Sequence, residues 1–221
     1  MKILAVEFSS EQRSVALVEL DGEACRVRGE AREEGGRNAH AFALIEQTLR
    51  QAKMEREEID CIAVGLGPGS YTGIRAAIAL AQGWQLAQGV KVLGISSVQC
   101  LAEGARASGM RGRINVIVDA QRNEFYLAGY DLAANGACEV EPLHITSFDE
   151  VKRRLAEKEI VIGPDATRFF PNGENLFPNA AVLGRVAAQK SDFVFGEELK
   201  PIYLRETEFV KAPPPRIIDG S

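Results

Sequence analysis

Two histidines, His40 and His144, are all that the 221 residues contain. A helical zinc site needs a pair of them one turn apart, and His40 has Leu44 four residues on and Gly36 four back. No G-x-S-x-G elbow is present, which removes the usual frame for a serine nucleophile. The four cysteines, Cys25, Cys61, Cys100 and Cys138, form no C-x-x-C pair, against a zinc ribbon or a thioredoxin-type redox pair; they read as reduced thiols of a cytosolic protein. An excess of positive charge is also missing: 26 Lys and Arg stand against 31 Asp and Glu, for a net charge of −5. That balance argues against this chain alone gripping a nucleic-acid backbone. No signal peptide is expected ahead of the strand-like run Ile3 to Phe8, and the uncharged stretch Ala76 to Val90 is too short for a membrane span. A soluble, cytoplasmic protein is the expectation.

The most informative scarcity is local. Between Asp60 and Glu103 no acidic residue occurs, and the only formal charges are Arg75 and Lys91. Within this stretch the β-branched run Ile62 to Val64 enters a glycine- and proline-containing loop, Gly65 to Gly73, and leaves as an apolar helical pattern from about Thr72 to Gln88. Strand, glycine loop and helix, all poor in charge, predict a segment buried on more than one side.

Before it, Ile3 to Phe8, Val15 to Leu20 and Ala24 to Gly29 read as an antiparallel meander. Asn38 caps a helix to about Lys53, whose apolar arc is Ala41, Phe42, Leu44, Ile45, Thr48, Leu49 and Ala52, with His40 at its edge. After it come a strand Val90 to Ile95 and a helix to about Ala107 capped by Ser96 or Ser97. The pattern then restarts. Ile114 to Asp119, a polar turn and Glu124 to Tyr130 repeat the opening strand, acid, turn, strand order, with Asp119 where Glu7 stood. Ile160 to Gly163 echoes Ile62 to Gly65, each with a proline following. Two echoes in the same order predict a duplicated α/β domain with mixed sheets and flanking helices. Its halves are expected at 1–108 and 109–208, with a flexible tail at 209–221 rich in proline.

The glycine loop invites a phosphate-cradle reading, and the particulars weaken it. A Walker loop needs a lysine that here does not come until Lys91. The dinucleotide fingerprint fails at Ser70, where its third glycine should stand, and no ribose-binding acid follows. Backbone amides at the helix start could still meet an anion, with Ser70, Thr72 and Arg75 nearby; the alternative is a tight strand-to-helix connection. The helix itself has two apolar faces. One is Ile74, Ala77, Ile78 and Ala81, and the other, roughly opposite, is Ala76, Leu80, Gly83, Trp84 and Ala87. A helix lying on a sheet needs only one, so the second meets another helix or another protein.

These residues resemble the TsaB (YeaZ) family of bacterial threonylcarbamoyladenosine tRNA modification. The resemblance runs through ILAVEFSS and SVALVE, Asn38-Ala39-His40, IAVGLGPGSYTGIRAAIALAQGWQLA, VLGISSVQCLA, VDAQRNEFYLAGY and LKPIYLR. It implies a duplicated actin-like (ASKHA, ribonuclease H-like) fold and a non-catalytic paralogue of TsaD. The implied partners are TsaD in a heterodimer and the ATPase TsaE, with tRNA met only through the complex and a homodimer in isolation. The partner interface is expected on the first two helices, at His40, Phe42, Ile45, Leu49, Ile74, Ala77, Ile78, Ala81 and Trp84. In actin-like and hexokinase-like folds a strand-end acid orients magnesium and phosphates. Glu7, Ser70, Thr72, Arg75 and Asp119 are therefore the candidates for an anion or ATP/ADP–magnesium contact. This chain carries Glu7 and Gln121 where the family usually has aspartate and arginine. No cofactor or metal of its own is expected, and the competing readings are an ATP-binding actin-like phosphotransferase and, more remotely, a metallopeptidase.

Overall fold

The computed structural model describes residues 1–34 and 40–204; Asn38, expected as a helix cap, and the expected tail at 209–221 lie outside them. Strand β1 (Lys2–Glu7) is apolar at nearly every position and buried on both faces, as a strand at the centre of a covered sheet must be. It pairs antiparallel with β2 (Gln12–Asp21), which pairs antiparallel with β3 (Ala24–Glu34). On its other side β1 runs parallel to β4 (Cys61–Gly65), and β4 to β5 (Lys91–Ile95). The sheet order is β3-β2-β1-β4-β5.

The second half repeats this order strand for strand. Here β6 (Gly112–Asp119) pairs antiparallel with β7 (Glu124–Ala133), which pairs with β8 (Gly136–Ser147). On the other side β6 runs parallel to β9 (Ile160–Gly163), and β9 to the short β10 (Glu174–Asn175). Read from the far edge the order is β8-β7-β6-β9-β10. Two sheets with the same order and the same strand senses are the duplicated actin-like architecture.

Alternation along β1 assigns its two faces. Leu4 and Val6 join Phe8 in a core covered by α1 (Ala41–Ala52) and α2 (Tyr71–Gln88), whereas Ile3 and Ala5 face a core completed by α6 (Ala180–Ala187). Helix α6 follows the second sheet in sequence yet lies on the first. Gly184 permits this: a Cβ there would come within 2.5 Å of Val18 Cγ2. Helix α3 (Ser97–Ala107) does the reverse and sinks Val98, Leu101, Ala102 and Ala105 among the residues of β6 and β7. Two hydrogen bonds tie this crossing together: Ala180 N–H donates to Ser14 Oγ at 2.8 Å, buried, and the Cys100 thiol donates to the Asn179 carbonyl at 3.3 Å. A division at residue 108 thus separates the strands but not the packing.

Helices α4 (Phe148–Ala156) and α5 (Ala166–Phe169) complete the second half. The chain then returns to the first sheet, where Val194 N–H donates to the Val92 carbonyl and Ile202 N–H to the Leu66 carbonyl. Among the described residues no helix is long and apolar enough to cross a membrane.

Candidate functional site

Glu7 ends β1 and is fully buried. Its Oε1 accepts from Ser9 N–H at 2.8 Å and its Oε2 from the Ser97 hydroxyl at 2.9 Å. Ser97 Oγ in turn accepts from Gly67 N–H at 3.2 Å. Burial pushes the carboxyl above the ordinary glutamate value, against the opposing effect of Ser9 and Ser97. Of the two candidate caps for α3, Ser96 holds the cap position, without a side-chain bond, and the Ser97 hydroxyl serves Glu7 instead.

The glycine loop is shaped to this acid and to the turn after it. A Cβ on Gly65 would overlap the Glu7 carboxylate, one on Gly69 the Ser9 carbonyl, and one on Gly73 the Phe8 carbonyl. Ser70 N–H donates to the Ser9 carbonyl at 2.7 Å, and the Ser70 hydroxyl caps α2 by accepting from Gly73 N–H. The space beside Gly65, Gly69 and Gly73 is filled by the protein's own Glu7, Phe8 and Ser9. Of the two readings of the loop, the tight connection is the one these contacts support.

A cleft of about 580 Å³ does open between the halves, walled by Ser9, Glu11, Arg13, Ser70, Asp119 and Asp165 among others. Glu7 does not line it. Asp119 accepts from Gln121 N–H at 2.7 Å and from Gln121 Nε2 at 3.1 Å. Thr72 and Arg75 are exposed, and the Arg75 guanidinium lies over the Tyr71 ring at 4.5 Å rather than over the cleft acids. Arg13 is held by Glu33 at 3.2 Å. Of the residues expected to share a magnesium–nucleotide contact only Ser70 and Asp119 wall this cleft: Glu7 is sealed beneath the loop, Thr72 and Arg75 do not line it, and Asp119 is bonded within its own turn. They do not fit that group. Among the described residues no cluster of histidine, cysteine, aspartate and glutamate has the makings of a metal site. The two buried thiols are poor nucleophiles, burial raising Cys61 to about 12 and pushing Cys100 up as well.

The outward surface of α1 and α2 is of another kind. Of the expected partner-facing residues, Ile45, Leu49, Ile74, Ala77, Ile78 and Ala81 are buried in the core against the first sheet. The expectation fails for them because the small residues Ala77 and Ala81 let α2 sit close on its own sheet. Three remain available. Phe42 is 72% exposed, Trp84 is half-buried with its indole N–H donating to Gln88 Oε1, and exposed His40 lies 3.1 Å from a Glu33 oxygen. With them stands the second face of α2: of its expected residues Gly83 and Ala87 are exposed and Ala76, Leu80 and Trp84 half-buried, and Ala79 and Leu86, the latter 91% accessible, are exposed beside them. Phe42, Ile45, Trp84 and Ala87 border a hollow of about 210 Å³ between the two helices. Sequence reasoning missed Leu86, Tyr71 and Phe195, all exposed apolar or aromatic groups. The signal available for Leu86 was its place three residues beyond Gly83 on the second face.

Comparison with known proteins bears on the chain as a whole. The family model described as TsaD, tRNA N6-adenosine threonylcarbamoyltransferase, matches residues 38–196. The chain is 28% identical over 227 residues to the tRNA threonylcarbamoyladenosine biosynthesis protein TsaB of Escherichia coli (strain K12), spanning 93% of this chain and 95% of that protein. The protein of the same description from Bacillus subtilis (strain 168) is 26% identical over 224 residues, spanning 94% and 96%. Among solved structures, an uncharacterized Pseudomonas aeruginosa protein with similarity to peptidase YEAZ matches with a TM-score of 0.77 at 26% identity, covering 92% of this chain and 99% of that one.

Proposed function

Because the chain belongs to the TsaB (YeaZ) family, within the wider family of the threonylcarbamoyltransferase TsaD, we propose that it serves tRNA threonylcarbamoyladenosine biosynthesis as a non-catalytic partner of TsaD. Its task is to hold TsaD in a competent shape while TsaD moves the threonylcarbamoyl group onto adenosine 37. TsaE joins the assembly, and isolated copies pair through related surfaces. With a net charge of −5, the chain meets tRNA only through the complex. We place it in the cytoplasm with its substrate.

The observation that carries this reading is the outward face of α1 and α2. From Ala76 to Gln88 α2 has no charged residue, yet Ala79, Gly83, Leu86 and Ala87 face outward beside Phe42. An apolar stripe of this kind marks an interaction site, and each Leu or Phe side chain buried there contributes about 1.5–3 kcal/mol. Small residues at Ala79 and Gly83 allow a partner helix to approach closely; a Cβ added at Gly83 would meet nothing within 4 Å. Arrangement of the acids supports the non-catalytic part, since Glu7 is sealed and Asp119 is bonded to Gln121.

Mixing the purified chain with TsaD from the same genome should yield a heterodimer on size exclusion. Modification of tRNA should then depend on the chain, while the chain alone transfers nothing. Absence of a complex, or transferase activity in the chain by itself, would sink the proposal.

A further inference from the structure

Beside the second face of α2 lies a groove of about 670 Å³, walled by Gln82, Gln85, Leu86 and Gly89 on one side and by Phe195 to Glu197 on the other. Apart from Glu197, its polar side chains are already used. Gln82 Nε2 donates to the Gly196 carbonyl at 2.9 Å, Gly196 N–H donates to Gln85 Oε1 at 2.7 Å, and Gln85 Nε2 reaches the Val90 carbonyl at 3.2 Å. What remains open to an occupant is apolar: Leu86, and Phe195 at 70% exposure. The surroundings are negative. The groove lies against the C-terminal end of α2, the negative end of its dipole, and the last turn of α2 holds no basic residue. Glu197 stands at the rim, exposed, without a hydrogen bond or ion pair among the described residues. Its neighbour Glu198 is spent on Phe195 N–H at 2.8 Å.

We propose that this groove receives a large apolar side chain of the partner protein, flanked on the partner's helix by a lysine or arginine that pairs with Glu197 and the end of α2. This rests on the docking reading above and adds a specificity determinant to it. The contact surface then extends past the two helices onto the returning segment at 195–197. A second copy is a poorer match through α2, whose only cation, Arg75, already lies over Tyr71.

The test is calorimetry of the full chain against TsaD from the same genome, with Phe195→Ser, Leu86→Ser and Glu197→Lys, and Val140→Ser on β8 as the control. All four side chains are exposed, so the variants should fold, which circular dichroism checks. Each apolar truncation should weaken binding about tenfold or more. Glu197→Lys should weaken it several-fold and reduce its salt dependence, and Val140→Ser should leave it unchanged. Wild-type binding with undiminished binding by the groove variants overturns the groove assignment alone, whereas no binding by the wild type overturns the docking reading and the groove with it. Two further results assign another occupant and overturn the proposal. One is a wild-type homodimer that Phe195→Ser dissociates while TsaD affinity stays the same. The other is tighter TsaD binding by a chain ended after Leu204, with the groove variants losing nothing in that background.

Discussion

In the first half the helix that follows β4 is the 18-residue α2, while at the same place in the second half, after β9, α5 has only four residues. The helix that follows the third strand differs too. Helix α1 exposes Phe42 to solvent, but α4 carries a lattice of ion pairs, with Arg153 bonded to Glu150 and Glu157. Behind it Arg154 donates to Asn115 Oδ1 and to both oxygens of Glu141, each at 2.7 Å. Four residues suffice to turn the chain from one strand to the next in this topology. The inner face of α2 serves the core through Ile74, Ala77, Ile78 and Ala81, but its uncharged outer face is not demanded by the fold. One half exposes apolar side chains on its helices, and the other presents charge to water.

The sharpest way to break that comparison is to put a charge on the inner face of α2. Ala77→Arg or Ala81→Arg places an unpaired guanidinium at positions with 0% exposure, at a cost of several kcal/mol. We expect loss of a cooperative thermal transition and an insoluble product. A folded variant that merely fails to pair would mean that this face is a docking surface after all.

Next in size is Arg154→Ala, which leaves the Oδ1 of buried Asn115 without its donor and Glu141 with only Arg113 and His144 beside it. A loss of about 3 kcal/mol in urea unfolding is expected, whereas exposed Arg153→Ala should leave the midpoint unchanged. Equal effects of the two would refute the distinction drawn between them.

The halves should also differ in the sign of their pH dependence. The Arg154 guanidinium holds Glu141 below the ordinary carboxylate value, and Arg153 and then Arg154 bring Glu150 down to about 2. Their contribution to stability is present above the unfolded carboxylate value near 4.5 and is lost as pH falls toward 2. Glu7 is raised by burial, so its contribution is complete below about 4.5 and declines as pH rises through its folded value. Glu7→Gln should gain on the wild type in melting temperature between pH 5 and pH 8, on top of a constant offset. A melting temperature of Glu7→Gln minus wild type that falls with rising pH would contradict the assignment. The smallest effect is a null: titrating the isolated chain with magnesium–ATP at millimolar concentration should give no saturable heat.

Much of the architecture is legible in the sequence because it is written in local pattern. The meander, the glycine loop and the repeat of Ile3 to Leu20 at Ile114 to Tyr130 depend on alternation and turn residues close in the chain. Which sheet a helix covers is not local. The apolar stripe Val98, Leu101, Ala102 and Ala105 says that α3 is buried, not that β6 and β7 bury it. The same gap explains the candidate site. Two apolar faces on α2 are visible in sequence, but which one meets the sheet depends on the direction in which the Gly65 to Gly73 loop launches the helix. Small residues at Ala77 and Ala81 fit either reading. Likewise Glu7 and Asp119 occupy equivalent strand ends, and only the Gly65 and Ser97 contacts show that one is sealed and the other exposed to the cleft.

The crossing of α3 and α6 has a consequence for synthesis on the ribosome. Ile3, Ala5, Ala16, Val18 and Ala63 form a sheet face whose cover is α6, so five strands of the first sheet emerge long before residue 187. At about 5–20 residues per second, that face waits on the order of ten seconds for its last helix. During this interval the uncovered face is open to aggregation, and a gene cut at residue 108 should yield inclusion bodies rather than a domain.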